Sequence, residues 1–263
     1  MYLALLRVAF QRQLAYRTAN LAGLATNIFF GALRAYVIIA LFNARHLENV
    51  AGYSLPMAIT YTGVTQALMS FLALIVWWDL IRSIRSGEVA SDLSRPCDFF
   101  WYWCAQDAGR AFGQLLLRGL PIMILYALVY RITLPPTLWH WLALGVSMGL
   151  GLLVSFSWRF LVSLPAFWLQ DAAGVARLGW PLMSLLSGFL MPIAFFPPWA
   201  VTLIHWTPFP SMVSTPVEIY LGLVNGPALL GVLAVQALWV LILYGLSQLV
   251  LNAGVKKLVI QGG

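Results

Sequence analysis

The chain has 263 residues, of which 62% are hydrophobic and only 9% are charged. Soluble domains usually carry about 25% charged residues, so this composition excludes a water-soluble catalytic domain and indicates an integral membrane protein. The net charge is +7. In such a chain it indicates the Arg and Lys excess of cytoplasmic loops rather than nucleic-acid binding.

The first 20 residues predict an interfacial helix in front of the first span. Leu3, Leu6, Phe10 and Leu14 recur at helical spacing and form an apolar stripe. Two interpretations stay open at this point. The helix either anchors the first span or acts as a lever that contacts a cytoplasmic partner.

Helical spans need about 20 mostly apolar residues each. The chain contains six such stretches, and we expect six spans within a single domain of residues 1–263. The predicted bounds are 21–43, 57–78, 112–131, 139–164, 179–196 and 228–251.

The distribution of basic residues predicts that both termini are cytoplasmic. In that orientation eleven Arg and Lys residues fall on the inner side, and only Arg45 and Arg131 fall outside. Arg34 and Arg159 lie within spans, where a charge is costly without a partner. Arg34 either pairs with Glu218, faces the pathway or reaches the outer interface; Arg159 snorkels to the inner interface or lines a cavity.

The longest polar stretch, residues 79–110, lies on the predicted cytoplasmic side. Gly87 predicts the end of a helix, Glu88 to Leu93 a short turn, and Asp98 the cap of another helix. The segment is therefore ordered, charged and amphipathic. It is either a solvated connection between spans or a docking surface for a soluble subunit.

The fifth span is interrupted where interruption is costly. Gly188 and Pro192 break a helix that rises from residue 179, so the break begins about 20 Å along it, in the outer half of the bilayer. Non-helical backbone at that depth must be buried in protein or line a water-filled cavity. The apolar pieces that follow are too short to cross. We therefore expect residues 193–227 to form a re-entrant outer hairpin.

The sequence lacks the motifs of several kinds of nucleotide-binding and catalytic site. The chain contains no P-loop, no zinc-protease helix motif and no nucleophile elbow. The three histidines fall on different loops, so no metal site is expected. All eight acidic residues lie outside the predicted spans, which disfavours an ion-coupled carrier.

Three stretches carry a resemblance to a known family: "FWLQDAAGVARLGWPLMSLLSGFLMPIAFFPPWAVTLIHWTPFPSMVSTPVEIYLG" (167–222), "RSGEVASDLSRPCDFFWY" and the closing "QGG". Together they resemble permease subunits of ABC exporters of the type-2 (ABC-2) superfamily. The similarity is to the six-span bacterial group that lacks its own ATPase domain, and it extends over essentially the whole chain.

The resemblance implies a multi-pass exporter subunit of the bacterial inner membrane that is not itself an enzyme. Two permeases, identical or homologous, pack side by side in membrane lipid above a dimer of separate ATPases. Those ATPases, and not this chain, bind ATP and Mg²⁺. The alternative is an ion-coupled secondary carrier or channel without an ATPase.

The resemblance and the breaks together give candidate residues. Those expected to couple to the ATPase are Arg85, Gly87, Glu88, Asp92, Leu93 and Arg95. Those expected to build the re-entrant gate are Gly188, Pro192, Pro197, Pro198, Pro208, Pro210 and Glu218. Arg34 and Arg159 are candidates for the translocation pathway.

Overall fold

The structure is a computed structural model that describes residues 1–44, 48–73, 78–169 and 173–257. Within these ranges α-helix dominates. A hairpin of two short strands, β1 (Asn49–Val50) and β2 (Tyr53–Ser54), interrupts the helices. The prediction of an all-α chain is confirmed. The closing Gln-Gly-Gly, and residues 170–172 of the long family-like stretch, lie outside the described residues.

The described part of the first half of the chain contains six helices, and two of their boundaries lie where the sequence predicts them. In chain order they are α1 (Tyr2–Ala15), α2 (Arg17–Ala44), α3 (Leu55–Leu72), α4 (Trp78–Ser86), α5 (Val89–Leu93) and α6 (Phe99–Gln114). Gly87 has a φ of +80°, a left-handed conformation that ends α4. Asp98 caps α6, because its carboxylate accepts a hydrogen bond from the Trp101 amide at 3.0 Å. Both predicted boundaries are confirmed.

In the second half, long helices alternate with short ones. A π-helical turn (Leu115–Gly119) joins α6 to α7 (Leu120–Val129). Then come α8 (Leu138–Ser163), a 3-10 turn (Leu164–Phe167), α9 (Ala173–Leu186), a 3-10 turn (Ile193–Phe195), α10 (Pro198–His205), a 3-10 turn (Phe209–Ser211), α11 (Ser214–Tyr220) and α12 (Pro227–Val255). Proline lies in the first turn of α10 and α12, where its missing N–H leaves no bond unmade.

Within the described residues, four helical runs are long and apolar enough to cross a membrane: Arg17–Ala44, Phe99–Val129, Leu138–Phe167 and Pro227–Val255. They correspond to predicted spans one, three, four and six, and the protein is a multi-pass membrane protein. Predicted spans two and five correspond to α3, with 18 residues, and α9, with 14. α9 is only about 21 Å long, against a hydrocarbon core of about 30 Å. Six spans therefore stay a prediction.

The helix of span three begins earlier than its predicted start at residue 112. It starts at Phe99 and continues to Val129. Asp107 lies on this continuous helix but ahead of residue 112, so the prediction that every carboxylate lies outside the spans stays a prediction. The side chain of Asp107 points into the protein, since it is only 1% exposed.

α1 packs along α6 at two glycines that let the backbones approach. A Cβ at Gly109 would collide with the carbonyl oxygen of Leu6, and one at Gly113 would lie 2.8 Å from Gln13 Cβ. The predicted apolar stripe of α1 is only partly covered, because Leu3 is 81% exposed. The interfacial location of α1 stays a prediction.

Two apolar clusters form the core. The larger one joins α3 to α2, α7, α8 and α11 through side chains such as Tyr61 and Phe71. The smaller one joins α4 and α5 to α6 and α8. Phe100 of α6 and Phe160 of α8 meet in it edge to face, with ring centroids 5.2 Å apart. This smaller cluster fixes the position of the predicted coupling segment.

Candidate functional site

The predicted coupling segment is an ordered helix–turn–helix of α4, Gly87 and α5. Leu80 and Ile84 of α4 are buried in the smaller core cluster. Arg82 and Arg85 are exposed on the opposite face. Because the apolar face of α4 is anchored on α6 and α8, its charged face has a fixed orientation towards solvent.

An open groove of about 370 Å³ lies beside this charged face. Its lining residues are Asp79, Arg82, Ser83, Glu88, Ser91, Asp92, Arg95 and Trp103. Three predicted coupling residues thus meet there, Glu88, Asp92 and Arg95. Arg85 instead lines a neighbouring groove of about 460 Å³. Gly87 and Leu93 lie in the same segment but line neither of these two grooves.

Sequence reasoning missed Arg82, which lines both grooves. Its spacing of three residues from Asp79 and from Arg85 places the three side chains on one face of α4. That spacing is the signal that identifies Arg82 from sequence. The charged surface of the segment is therefore wider than the predicted set.

Arg95 ties the exit of α5 to α6. Its Nη2 lies 3.0 Å from Asp92 Oδ1, and its Nη1 donates to the Tyr102 hydroxyl at 2.9 Å. The guanidinium also lies 4.7 Å from the centroid of the Tyr102 ring. An exposed ion pair of this kind contributes about 0–1 kcal/mol to stability. Its main effect is to fix where the charges of the groove lie.

A second candidate region begins directly after α9, where predicted span five breaks. Gly188 adopts a φ of +81°, as the break predicted there requires. The carbonyl oxygen of Ser187 accepts a hydrogen bond from the Ser214 amide at 3.0 Å. That of Gly188 accepts one from the Tyr61 hydroxyl at 2.6 Å. Protein groups therefore satisfy the broken backbone, as a membrane environment demands.

Arg34 satisfies the next two carbonyls of the break. Its Nη2 donates to Phe189 O at 2.5 Å and to Leu190 O at 3.2 Å. The guanidinium also lies 4.9 Å from the centroid of the Phe189 ring. The predicted pairing with Glu218 is wrong, because Glu218 accepts its hydrogen bond from Ser214 Oγ at 2.6 Å instead.

Prolines shape the segment that follows the break. Pro192 precedes a 3-10 turn, Pro197 caps α10 and Pro198 is its first residue. Pro208 and Pro210 flank Phe209 in the turn before α11. α10 and α11 contain 8 and 7 residues. Each is at most about 12 Å long, so neither crosses a bilayer.

The two short helices differ in burial. Val217 and Ile219 of α11 are fully buried, whereas Trp199 of α10 is 69% exposed. Desolvation raises the pKa of Glu218, which lies on α11 outside the spanning helices; the hydrogen bond from Ser214 opposes this shift. α11 thus packs into the protein while α10 faces outward, an arrangement compatible with the predicted hairpin.

Arg159 does not reach the inner interface, and the prediction that it snorkels is wrong. It is 3% exposed, and its Nη2 lies 2.5 Å from Asp107 Oδ2. The other oxygen of that carboxylate lies 2.8 Å from Arg110 Nε. Arg159 pairs with the buried carboxylate of Asp107 on α6 instead of extending to the lipid headgroups. Sequence reasoning missed Asp107 and Arg110 as a unit, although their i, i+3 spacing on one helix signals it.

Within the part of the chain that the structure describes, no group of three or more His, Cys, Asp or Glu residues is arranged to hold a metal ion. His140 makes structural hydrogen bonds instead. One ring nitrogen lies 2.7 Å from Thr137 Oγ1 and the other 3.0 Å from Asn225 Oδ1. These contacts join the start of α8 to the loop before α12.

Comparison with models of protein families matches residues 30–262 to a family described as ABC-2 family transporter protein. The matched range contains both grooves and the outer break, and it leaves out α1. No curated protein and no solved structure matches the chain.

Proposed function

Because the chain belongs to the ABC-2 family of transporter proteins, it is a permease component of an ABC transporter, and we propose that it forms half of the translocation pathway of an ATP-driven exporter. A second permease, identical or homologous, forms the other half. Each subunit crosses a bacterial inner membrane six times, with both termini in the cytoplasm.

In this proposal the chain carries out no nucleotide chemistry. A dimer of separate ATPase subunits binds ATP and Mg²⁺, as members of this family generally work with an ATPase partner. The sequence has no P-loop with which to bind nucleotide itself. This chain therefore changes conformation, while the separate ATPase subunits hydrolyse ATP.

The observation that carries the proposal is the anchored helix–turn–helix of α4, Gly87 and α5. Its charged groove faces outward from the protein, and its apolar face rests on α6 and α8, which both belong to spanning helices. Closure of the ATPases against Glu88, Asp92 and Arg95 would push on this face. The push would then pass to two spans at once, because packed side chains transmit displacement.

The outer break supports a gate between the pathway and the outside. The Ser214 amide ties α11 to the carbonyl of Ser187 at the end of α9, and Tyr61 and Arg34 hold the carbonyls of the break itself. These bonds can be exchanged for bonds to water when the pathway opens, while any movement of α11 also displaces Val217 and Ile219 from the larger core cluster. Residues 193–227 would move as this gate.

One observation favours the second candidate, an ion-coupled carrier or channel. Asp107 is a buried carboxylate on a helical run long enough to cross a membrane, and carboxylates within spans often mark ion pathways. Both of its oxygens, however, are occupied by Arg110 and Arg159. A carboxylate that is already matched by two guanidinium groups is a poor cation site, and the exporter is the better supported function.

The test is co-purification from the native membrane with a tag at the C-terminus. We expect a P-loop ATPase to co-purify with the wild-type chain and to be lost from Glu88→Arg, because the substitution reverses a charge in the docking groove. Glu48→Arg is the matched control: Glu48 is exposed beside the β-hairpin, away from the groove. It should retain the ATPase.

The outcomes separate the parts of the proposal. An ATPase that stays bound to Glu88→Arg shows that the groove is not the docking site. If no ATPase appears with the wild-type chain in several mild detergents, the exporter proposal fails and the ion-coupled carrier takes its place. A second permease in the same sample identifies a heterodimer.

A further inference from the structure

The inner end of α3 stops without glycine or proline. Ala73 adopts a φ of +45° there, a left-handed conformation that is unfavourable for a residue with a Cβ. The last carbonyls of α3, at residues 70–72, find their partners on other helices. Arg110 Nη1 and Nη2 donate to the first two at 3.1 and 3.0 Å, and Ser155 Oγ donates to the third at 3.0 Å. Side chains of α6 and α8 therefore cap this end of α3.

Arg110 belongs to an inner ionic cluster, which we define as Asp107, Arg110 and Arg159. One buried carboxylate faces two guanidinium groups, so the cluster carries one excess positive charge. A helix C-terminus carries a partial negative charge. The end of α3 supplies that charge at the place where Arg110 donates. The excess positive charge of the cluster is therefore balanced best while the C-terminal end of α3 stays in contact with Arg110.

The same two helices that build the cluster also support α4. Asp107 and Arg110 lie on α6, which places Phe100 under α4, and Arg159 lies on α8 next to Phe160. Both phenylalanines belong to the cluster that buries the apolar face of α4. A shift of α6 or α8 under α4 therefore moves the ionic cluster, and with it the capped end of α3.

We propose that Asp107, Arg110 and Arg159 are positioning residues for coupling. They hold the inner end of α3 to α6 and α8, the helices on which α4 packs, so that α3 moves when the ATPases displace α4. This inference rests on the proposed function, since it needs an ATPase that moves α4. The cluster takes no part in docking. It decides whether a bound and active ATPase moves predicted span two.

The test uses the complete transporter, reconstituted with its ATPase, and the Arg110→Gln variant. This change keeps the one-to-one Asp107–Arg159 pair and removes the cap of α3. A reporter cysteine replaces Asn49, which is exposed in the hairpin directly before α3, in a background with Cys97→Ser. The probe is a membrane-impermeant maleimide, and its labelling rate is compared without nucleotide and with ATP–vanadate.

In the wild-type complex we expect ATP–vanadate to change the labelling rate at least about fivefold, the lower end of typical coupling factors. Arg110→Gln should retain the ATPase and its hydrolysis rate but lose this response. Arg118→Gln is the matched control, because Arg118 also donates to a helix carbonyl, but to that of Ala19 on α2 instead of one on α3. It should keep the response.

Arg110→Lys adds a second check. Lysine preserves the charge but has no planar fork to bridge a carboxylate and two carbonyls, so it should not restore the response. A response that survives Arg110→Gln, or that is lost equally in Arg118→Gln, overturns the inference and leaves the proposed function intact. A wild-type chain that captures no ATPase overturns the proposed function and the inference that rests on it.

Discussion

At both the outer break after α9 and the inner break after α3, side chains from other helices bind the carbonyls of a helix end. The arginines that do so differ in their other partners. At each, one arginine donates to two successive carbonyls and one hydroxyl donates to a third. The inner arginine, Arg110, is also bound to the buried carboxylate of Asp107. The outer arginine, Arg34, lies instead against the ring of Phe189.

This difference indicates which break is able to open. Moving Arg110 away would separate it from the buried carboxylate of Asp107 and leave the carbonyls of Ser70 and Phe71 without their donor, which is unfavourable in low dielectric. Moving Arg34 away breaks hydrogen bonds from a guanidinium to neutral carbonyls, each worth about 1.5–3 kcal/mol, and a cation–π contact worth about 0.5–2 kcal/mol, but it separates no ion pair among the described residues. The inner break is therefore a fixed joint, and the outer break is the part of the molecule suited to a gate.

The largest expected effect comes from removing the carboxylate of the fixed joint. Asp107→Ala leaves two buried guanidinium groups without a counter-charge, and we expect a loss of about 3–5 kcal/mol in the free energy of unfolding. Asp92→Ala is the control, because it breaks an ion pair in which Arg95 is 44% exposed; it should cost under about 1 kcal/mol. Thermal unfolding in detergent measures both. Equal losses would show that the inner cluster is not held by its charges.

The next effect compares two glycines with the same backbone conformation. Gly188 and Gly87 have φ of +81° and +80°, so alanine is strained at both by about 1–2 kcal/mol. At Gly188 a Cβ would also lie 2.5 Å from the Tyr61 hydroxyl, whereas at Gly87 it meets nothing within 4 Å. Gly188→Ala should therefore lose about 1 kcal/mol more than Gly87→Ala, the worth of a displaced hydrogen bond. Losses of the same size in thermal unfolding would mean that Tyr61 does not hold the outer break.

The two breaks were not equally visible in the sequence. Gly87, Gly188 and Pro192 mark helix ends locally, because their conformational preferences belong to single residues. Ala73 carries no such signal, because alanine has no preference for the left-handed conformation that it adopts there. The partners of the outer break are likewise distant, with Arg34 separated from Phe189 by 155 positions. Sequence reasoning therefore located segments, while charge partners required the packed structure.

The smallest expected effect tests the carboxylate of the outer region. Glu218 accepts a hydrogen bond from a neutral hydroxyl, whereas Asp107 faces two cations. Desolvation raises the pKa of Glu218 above its model-peptide value of 4.5. The folded protein then binds a proton more tightly than the unfolded chain does. Stability from this group is complete below pH 4.5 and falls as the pH rises through the raised pKa.

Glu218→Gln removes this titration and keeps an oxygen that can accept the hydrogen bond of Ser214. We expect the variant to unfold at a higher temperature than the wild type at about pH 8, by a few degrees, and to show no advantage near pH 4.5. If Glu218→Gln is instead destabilised at about pH 8, the ionised carboxylate is stabilised by a partner in the outer region. The outer break would then share the charge pairing of the inner one, and the contrast between a fixed joint and a gate would be lost.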